Sequence, residues 1–490
     1  MPRQTTMLCA ILLAVCTLSA CGQTPTARET PAAEQPAAPT MPPPIKTAAP
    51  PTPTLTATQS PTETAIPVTD TPTGPTATPI DPRGQEVVLW HTWGFGPAAA
   101  ALAGIVAEFN ATNAWGITVT LVDQGRQTDL EDAVLAAMAS GELPNLSPGF
   151  PNSITSWYDA GLIAPLDDLF ADPAFGVTAD EYLAIHPANR DSGNLADGTQ
   201  IGLPIHQSLN VIFYNYTWAR ELGFATPPAT SAEFADQACA AAAYNNSDAD
   251  PANDGTGGFV HYPGASNIAS WLFAFRGSFL TEDGTSYLLD TPEMAAVADF
   301  LNGLRDAGCS FATDSFPNPE FAERLALFTT SSTAGIPFQL DAMEEAGNPD
   351  EWGLIPFPGP DGRLAVNAFG QLVGIFDHGP EANLAAWLWL RYFTSPEVQA
   401  EWIASSGYFP SQTTTEAFLG DYLAANPIYA SGLALSQYGQ SEPNLASWSA
   451  VRSAIQDAFT AIQQAATRED ILNILADLQL TADELLAQSP

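Results

Sequence analysis

The sequence predicts an α/β fold, and three observations predict it. Strand-like and helix-like segments alternate across short loops from residue 86 onward. The same alternation returns further along the chain. About 405 residues, from Gln85 to the last residue, remain once the low-complexity start is set aside, and a length of that order supports two lobes with sizeable cores.

The elements follow in order. EVVLWH, residues 86 to 91, is rich in β-formers. Pro97 opens a helix in which Leu102, Ile105, Val106 and Phe109 recur at helical spacing. Residues 117 to 122 form a second strand. Thr128 and Glu131 have the spacing of a capping box, with Thr128 as N-cap, and Gly141 stops that helix. Strand, helix, strand, helix with short connections argues for a parallel sheet. Later strands are expected at 211 to 215, 327 to 330 and 372 to 376. Later helices are expected from Thr291-Pro292 to Gly308, from 381 to 393, from Ser395-Pro396 to Gly407, and over most of 448 to 486. There is no internal repeat.

The first residues do not belong to this pattern. Arg3 and the apolar run from Met7 to Leu18 read as an export signal, too short to remain as a membrane span. The run ends in Leu18-Ser19-Ala20-Cys21, which predicts a lipoprotein signal over 1–20 and acylation of Cys21. Residues 21–84 are dominated by Thr, Pro and Ala and have too little apolar surface to offset ordering entropy, so they read as an extended tether. The folded domain is expected over 85–490.

Charge excludes one class of partner. The formal net charge is −40, and the single lysine, Lys46, lies in the tether. Nucleic-acid binding requires a basic patch, which this chain lacks. Removal of Cys9 and Cys16 with the signal and lipidation of Cys21 leave Cys239 and Cys309. Export favours their oxidation to a disulfide; two separate buried thiols are the alternative.

In an open α/β sheet, ligands sit beyond the carboxyl ends of the strands. That rule nominates His91-Thr92-Trp93-Gly94, Gln124-Gly125-Arg126-Gln127 and the stretch from Thr330 to Gly335. These loops mix aromatic rings, amides and hydroxyls, groups that suit a polyol. Asp248, Asp250, Asp254 and Gly255 suggest a calcium loop, but their spacing departs from the twelve-residue pattern and the final bidentate Glu is missing, so a solvated acidic turn is the better reading and no metal is expected.

Several segments, taken in order, resemble the family 1 extracellular solute-binding proteins of ABC importers, which include maltose- and glycerol-3-phosphate-binding proteins. They are VVLWHTWGFGPAAAALAGIVAEFN, GRQTDLEDAVLAAMASGELPNL, IGLPIHQSLNVIFYN, EWGLIPFPGPDG, NAFGQLVGIF and SPEVQAEWIASSGYFPS. The resemblance covers about residues 86 to 487. It implies a two-lobed periplasmic-binding-protein type II fold, each lobe a mixed sheet flanked by helices and discontinuous in sequence. Lobe 1 is expected at about 85–205 and 352–395, and lobe 2 at about 210–345 and 396–490. It further implies a monomeric receptor without cofactor that closes on a small solute and delivers it to permease subunits.

The ligand positions carried over are Trp93, Gln127, Trp271, Ser332, Gly370 and Tyr408, with Arg126 added because it stands beside a helix N-terminus that favours anions. Trp93 reads as a ligand platform. Trp271 stays open between a site residue and a buried helix face, and Tyr408 between ligand contact and hinge packing. His91 reads as structural, His206 and Gln207 as hinge residues with either role, and Trp387 and Trp389 as core. The chain departs from the glycerol-3-phosphate type in two places. Gly125-Arg126-Gln127 replaces Gly-Ser-Tyr, and no basic residue follows Tyr408 in Ser411-Gln412-Thr413. A sugar is therefore the favoured ligand, with glycerol-3-phosphate or a glycerophosphodiester as alternative. The sequence carries no H-E-x-x-H, G-x-S-x-G or P-loop. A glycan hydrolase acting through two carboxylates remains the competing class.

Overall fold

A computed structural model describes residues 80–261, 264–313 and 315–489, all within the compact unit Ala77–Pro490. The expected signal, Cys21 and the tether as far as residue 79 lie outside the described residues. In chain order the strands are β1 (Glu86–His91), β2 (Thr118–Asp123), β3 (Leu146–Gly149), β4 (Leu203–Pro204), β5 (Ser208–Asn215), β6 (Gly257–His261), β7 (Ser310–Ala312), β8 (Ala326–Ser332), β9 (Trp352–Ile355), β10 (Phe357–Pro358), β11 (Leu364–Phe369), β12 (Leu372–Ile375) and β13 (Gly439–Ser441).

They form two mixed sheets flanked by helices. The first has the order β2-β1-β3-β12-β4. Its β1 runs parallel to β2 and β3, whereas β12 is antiparallel to β3 and β4. The second has the order β10-β11-β5-β8-β6-β7, with β9 paired to β5 and β13 to β11. All eight residues of β5 are buried, which is why its sequence is continuously apolar at the centre instead of alternating.

Two strand-to-strand passages join the sheets side by side. Residues 205–207 lead from β4 to β5, and Gly370-Gln371 leads back from β11 to β12. Phe369 pairs with Ser208 on one side and Leu372 with Pro204 on the other. A Cβ on Gly370 would lie 2.2 Å from the His206 carbonyl oxygen, so only glycine permits this approach. The later segment is tied in by Gln207. Its N–H donates to Phe409 O at 2.8 Å, Phe409 N–H returns the bond at 2.9 Å, and Gln207 Nε2 donates to Pro410 O at 3.0 Å and Ser436 Oγ at 3.1 Å.

Three apolar clusters hold the unit together. One covers the helix-packed face of the first sheet and continues through the hinge to Phe213 and Trp352. A second fills the far side of the second sheet, around Trp271, Phe328 and Trp448. The smallest packs Leu130, Ile154 and Trp157 on the other face of the first sheet. Cys239 and Cys309 are disulfide-bonded, with Cα atoms 4.5 Å apart, which ties the helix Ser231–Asn245 to the entry of β7. Among the described residues, no helix is long and apolar enough to cross a membrane.

Three expectations need correction. Strands over 352–369 belong to the second sheet, because β9 pairs with β5 from Ile212 to Asn215 and Trp352 packs on Phe213 at 5.3 Å. The helix Pro396–Ser406, expected with lobe 2, packs on the helix Gly96–Thr112 of the first sheet. The second helix begins at Gln127 with Arg126 as N-cap, so Thr128 lies inside its first turn. Asp129, not Glu131, reaches back, accepting the Arg126 backbone N–H at 3.0 Å.

Candidate ligand cleft

Beyond the carboxyl ends of β2 and β3, a cavity of about 400 Å³ separates the first sheet from the second lobe. The first sheet contributes the opening turn of the helix Gln127–Ser140 and the loop after β3, where Phe150 precedes a helix started by Pro151. Phe369 and Gly370 of the hinge form the floor. The second lobe supplies Ser266 at the start of the helix Ala265–Ala274, the stretch 441–443, and Trp448 and Arg452 of the helix Trp448–Ile462.

Aromatic and polar groups share this wall. Phe150, just past the carboxyl end of the central strand β3, is 38% exposed, a large value for a phenyl ring. On the first-lobe side, Glu131 Oε1 accepts from Gln127 Nε2 at 3.0 Å and from Ser153 Oγ at 2.9 Å. Gln127 Oε1 in turn accepts from Gln371 Nε2 at 2.6 Å, which couples this wall to the hinge. Opposite, the Glu442 side chain is only 11% exposed. It accepts from Trp448 Nε1 at 2.7 Å, from Ser266 Oγ at 3.4 Å, and from Asn367 Nδ2 and Arg452 Nη1. Arg452 Nη2 also donates to Ser266 Oγ at 3.0 Å. Ionised partners with satisfied hydrogen bonds are what a nearly buried carboxylate requires.

One flank of the cavity is bridged. Asn444, beyond β13, donates through Nδ2 to the carbonyls of Ser192 at 3.1 Å and Asn194 at 2.9 Å. The Thr155 hydroxyl donates to Asn444 Oδ1. A loop attached to the second sheet thus holds two first-lobe segments.

The residues nominated by sequence divide among several places. Gln127 and Gly370 line the main cavity together. Trp93 and Tyr408 line a smaller one, of about 200 Å³, with Ala334 and Pro337 opposite. Trp93 is also core: it is 8% exposed, packs edge-on to Trp402 at 5.0 Å and lies 5.8 Å from His206. Burial pushes the Tyr408 hydroxyl up in pKa, and the neighbouring Trp93 indole partly offsets this. Tyr408 stacks on His206 at 3.8 Å, and burial holds that imidazole neutral, its pKa lowered to about 3.

Ser332 pairs with Asn210 across β5 and β8 and lines neither cavity. Arg126 points away, 83% exposed, with its guanidinium on Asp129 at 3.2 Å. The anion site expected beside that helix N-terminus is thus taken by the chain's own carboxylate. Of the two readings of Trp271, the structure shows the buried helix face: it is 1% exposed, between Phe234, Phe300 and Phe357, and lines neither the main nor the smaller cavity. His91 is buried and its Nδ1 accepts the Trp93 backbone N–H at 3.2 Å, shaping the loop after β1. In the acidic turn, Asp248 accepts from Asp250 N–H at 2.8 Å and Asn253 Nδ2 at 3.0 Å; no group of three or more metal-ligating side chains forms among the described residues.

Sequence reading missed Phe150, Glu442, Trp448 and Arg452, and took Glu131 for a cap. Phe150 follows β3, whose Pro148 hides a strand from propensity. It was findable from the apolar Phe-Pro pair at a helix start. Glu442 and Arg452 carry no local signal, because their meaning lies in each other.

Against known proteins, a family model described as bacterial extracellular solute-binding protein matches residues 104–431. The cyclic alpha-maltosyl-1,6-maltose binding protein from Arthrobacter globiformis is similar in structure, with a TM-score of 0.69 and 22% identity over 82% of this chain and 98% of that one. The sugar-binding protein MalE from Xanthomonas citri gives 0.70 and 19%, over 82% and 98%. UgpB from Mycobacterium tuberculosis, solved with glycerophosphocholine, gives 0.65 and 17%, over 83% and 99%. At such identities the structural likeness is one of fold: two lobes, each with a mixed sheet. The family match spans more than half of the chain, and the protein therefore belongs to the bacterial extracellular solute-binding proteins.

Proposed function

We propose that this chain is the solute receptor of an ABC importer and that its ligand is a carbohydrate. Membership of the family implies a small-molecule ligand and a location outside the cytoplasm. The observation that carries the carbohydrate reading is the main cavity itself. Phe150, Phe369 and Trp448 stand among amides and hydroxyls, and Arg452, the sole cation on its wall among the described residues, is bonded to Glu442. Flat rings suit the C–H faces of a pyranose, and neutral donors and acceptors suit its hydroxyls. Two similar structures are named for maltose-type sugars or sugar binding, which supports the same choice.

In this reading the lobes close about the paired hinge passages, and the closed form presents the solute to permease subunits. Cys21 carries the lipid that retains the receptor at the membrane, and the receptor acts as a monomer. It is not an enzyme: ligand is released unchanged. The second reading, glycerol-3-phosphate or a glycerophosphodiester, is favoured by the similarity to UgpB with its glycerophosphocholine.

A thermal-shift panel of neutral sugars and phosphorylated polyols separates the two. Saturation at a hundredfold above Kd adds about 2.7 kcal/mol of stability. Stabilisation by a neutral sugar recovered intact supports the proposal, and stabilisation by phosphorylated polyols alone replaces it with the second reading. Recovery of cleaved glycan would instead reveal a hydrolase. For the anchor, a Cys21→Ser variant released from the membrane fraction is the expected outcome, and unchanged membrane retention contradicts lipidation.

A further inference from the structure

The charged groups on the main cavity wall are Glu131, Glu442 and Arg452. Arg452 and Glu442 are bonded to each other, and Glu442 is further held by Trp448 and Asn367, so their charges cancel locally. Glu131 has no such counterpart. Its Oε1 accepts from Gln127 and Ser153, both neutral donors, and its Oε2 makes no hydrogen bond to the described residues. The positive end of its helix does not compensate it either, since Asp129 already takes the Arg126 N–H and guanidinium there. The half-buried wall therefore presents one negative charge and one unused acceptor.

We infer that Glu131 is the specificity-determining residue for ligand charge: it accepts a hydroxyl of an uncharged carbohydrate and rejects the corresponding phosphate ester. The inference rests on the carbohydrate reading and sharpens it. A hydroxyl facing Oε2 supplies the proton that the carboxylate needs. A phosphate dianion there supplies only acceptors and a like charge, whereas the monoanion keeps one P–OH donor and is disfavoured less. Selection by an unpaired wall charge is specificity gained by repulsion of the wrong ligand.

Matched pairs test this by calorimetric titration: glucose with glucose 6-phosphate, maltose with maltose 1-phosphate, glycerol with glycerol 3-phosphate. In the unmodified protein at least one neutral member is expected to bind at least about tenfold more tightly than its ester. Glu131→Gln keeps an acceptor oxygen and removes the charge. It is expected to weaken the neutral ligand through the poorer acceptor and, in the same variant, to narrow the ratio of neutral to ester affinity by about tenfold or more, because only the ester gains from removal of the charge. A second measurement needs no variant. Between about pH 5 and pH 7.5 the ester passes from monoanion to dianion, and its relative affinity is expected to fall. An unchanged ratio in Glu131→Gln, or ester binding that is indifferent to pH, overturns the role of Glu131 while leaving the carbohydrate reading intact. Binding of esters in preference to every neutral member overturns both.

Discussion

Phe150 and Trp93 show how differently two aromatic residues at a cleft behave. Phe150 is half-exposed on the main cavity and contributes little to the core. Phe150→Ala is expected to weaken carbohydrate binding by about tenfold or more, with unfolding free energy changed by less than about 1 kcal/mol. Titration and denaturant unfolding of one preparation check both halves. Trp93 packs on Trp402 and His206, so Trp93→Ala opens a hole in the core and is expected to cost about 3–5 kcal/mol of stability before ligand binding is considered.

His206 adds a pH dependence. Burial lowers its pKa to about 3, and burial alone lowers His186 and His261 to about 4. In the unfolded chain these groups titrate near 6.5, so at intermediate pH the unfolded state binds more protons. Their stabilising contribution is complete above about pH 6.5 and is lost progressively as pH falls toward about 4 for His186 and His261 and toward about 3 for His206. His206→Gln is expected to give a shallower loss of unfolding free energy on acidification; an unchanged slope would show that His206 does not contribute. At this scale the sequence displayed Gln127, Gly370, Trp93 and Tyr408 through their loops. It hid the cleft role of Glu131, because the spacing from Thr128 to Glu131 reads as a capping box.

Among the elements, the hinge is the most constrained. Gly370→Ala places a Cβ against the His206 carbonyl, and since both are backbone-fixed the paired passages must part. The expected cost is about 1–3 kcal/mol, together with weaker ligand binding, measured by denaturant unfolding and titration. Asn444 belongs to the same scale. Its bonds to Ser192, Asn194 and Thr155 hold one flank of the cavity, so Asn444→Ala is expected to speed ligand release severalfold, read as koff in stopped flow. Strands β1, β2 and β5 and the helices opening at Pro97, Pro292 and Pro396 were legible, since apolar period and Pro or Thr starts coincide there. The assignment of β9 to β11 was not legible. The partner of β9 depends on register with β5, far away in sequence, from Asn215↔Trp352 to Ile212↔Ile355, and no local pattern encodes it.

At the scale of the molecule, an acidic unit with two sheets and a disulfide-tied second lobe suits a receptor working outside the cell. The membership of its family and the order of its α/β elements were both readable in advance, while the charge balance of the cleft emerged only when segments 127–131, 150–153 and 441–452 came together. The central claim is that this cleft captures a neutral carbohydrate. Its most direct test is calorimetric titration of the purified protein with neutral mono- and oligosaccharides, followed by chemical analysis of the recovered ligand. The account predicts one site per chain, saturable binding lost in Phe150→Ala, and ligand returned unaltered. Binding of phosphorylated polyols alone, or sugar binding unaffected by Phe150→Ala, would contradict it.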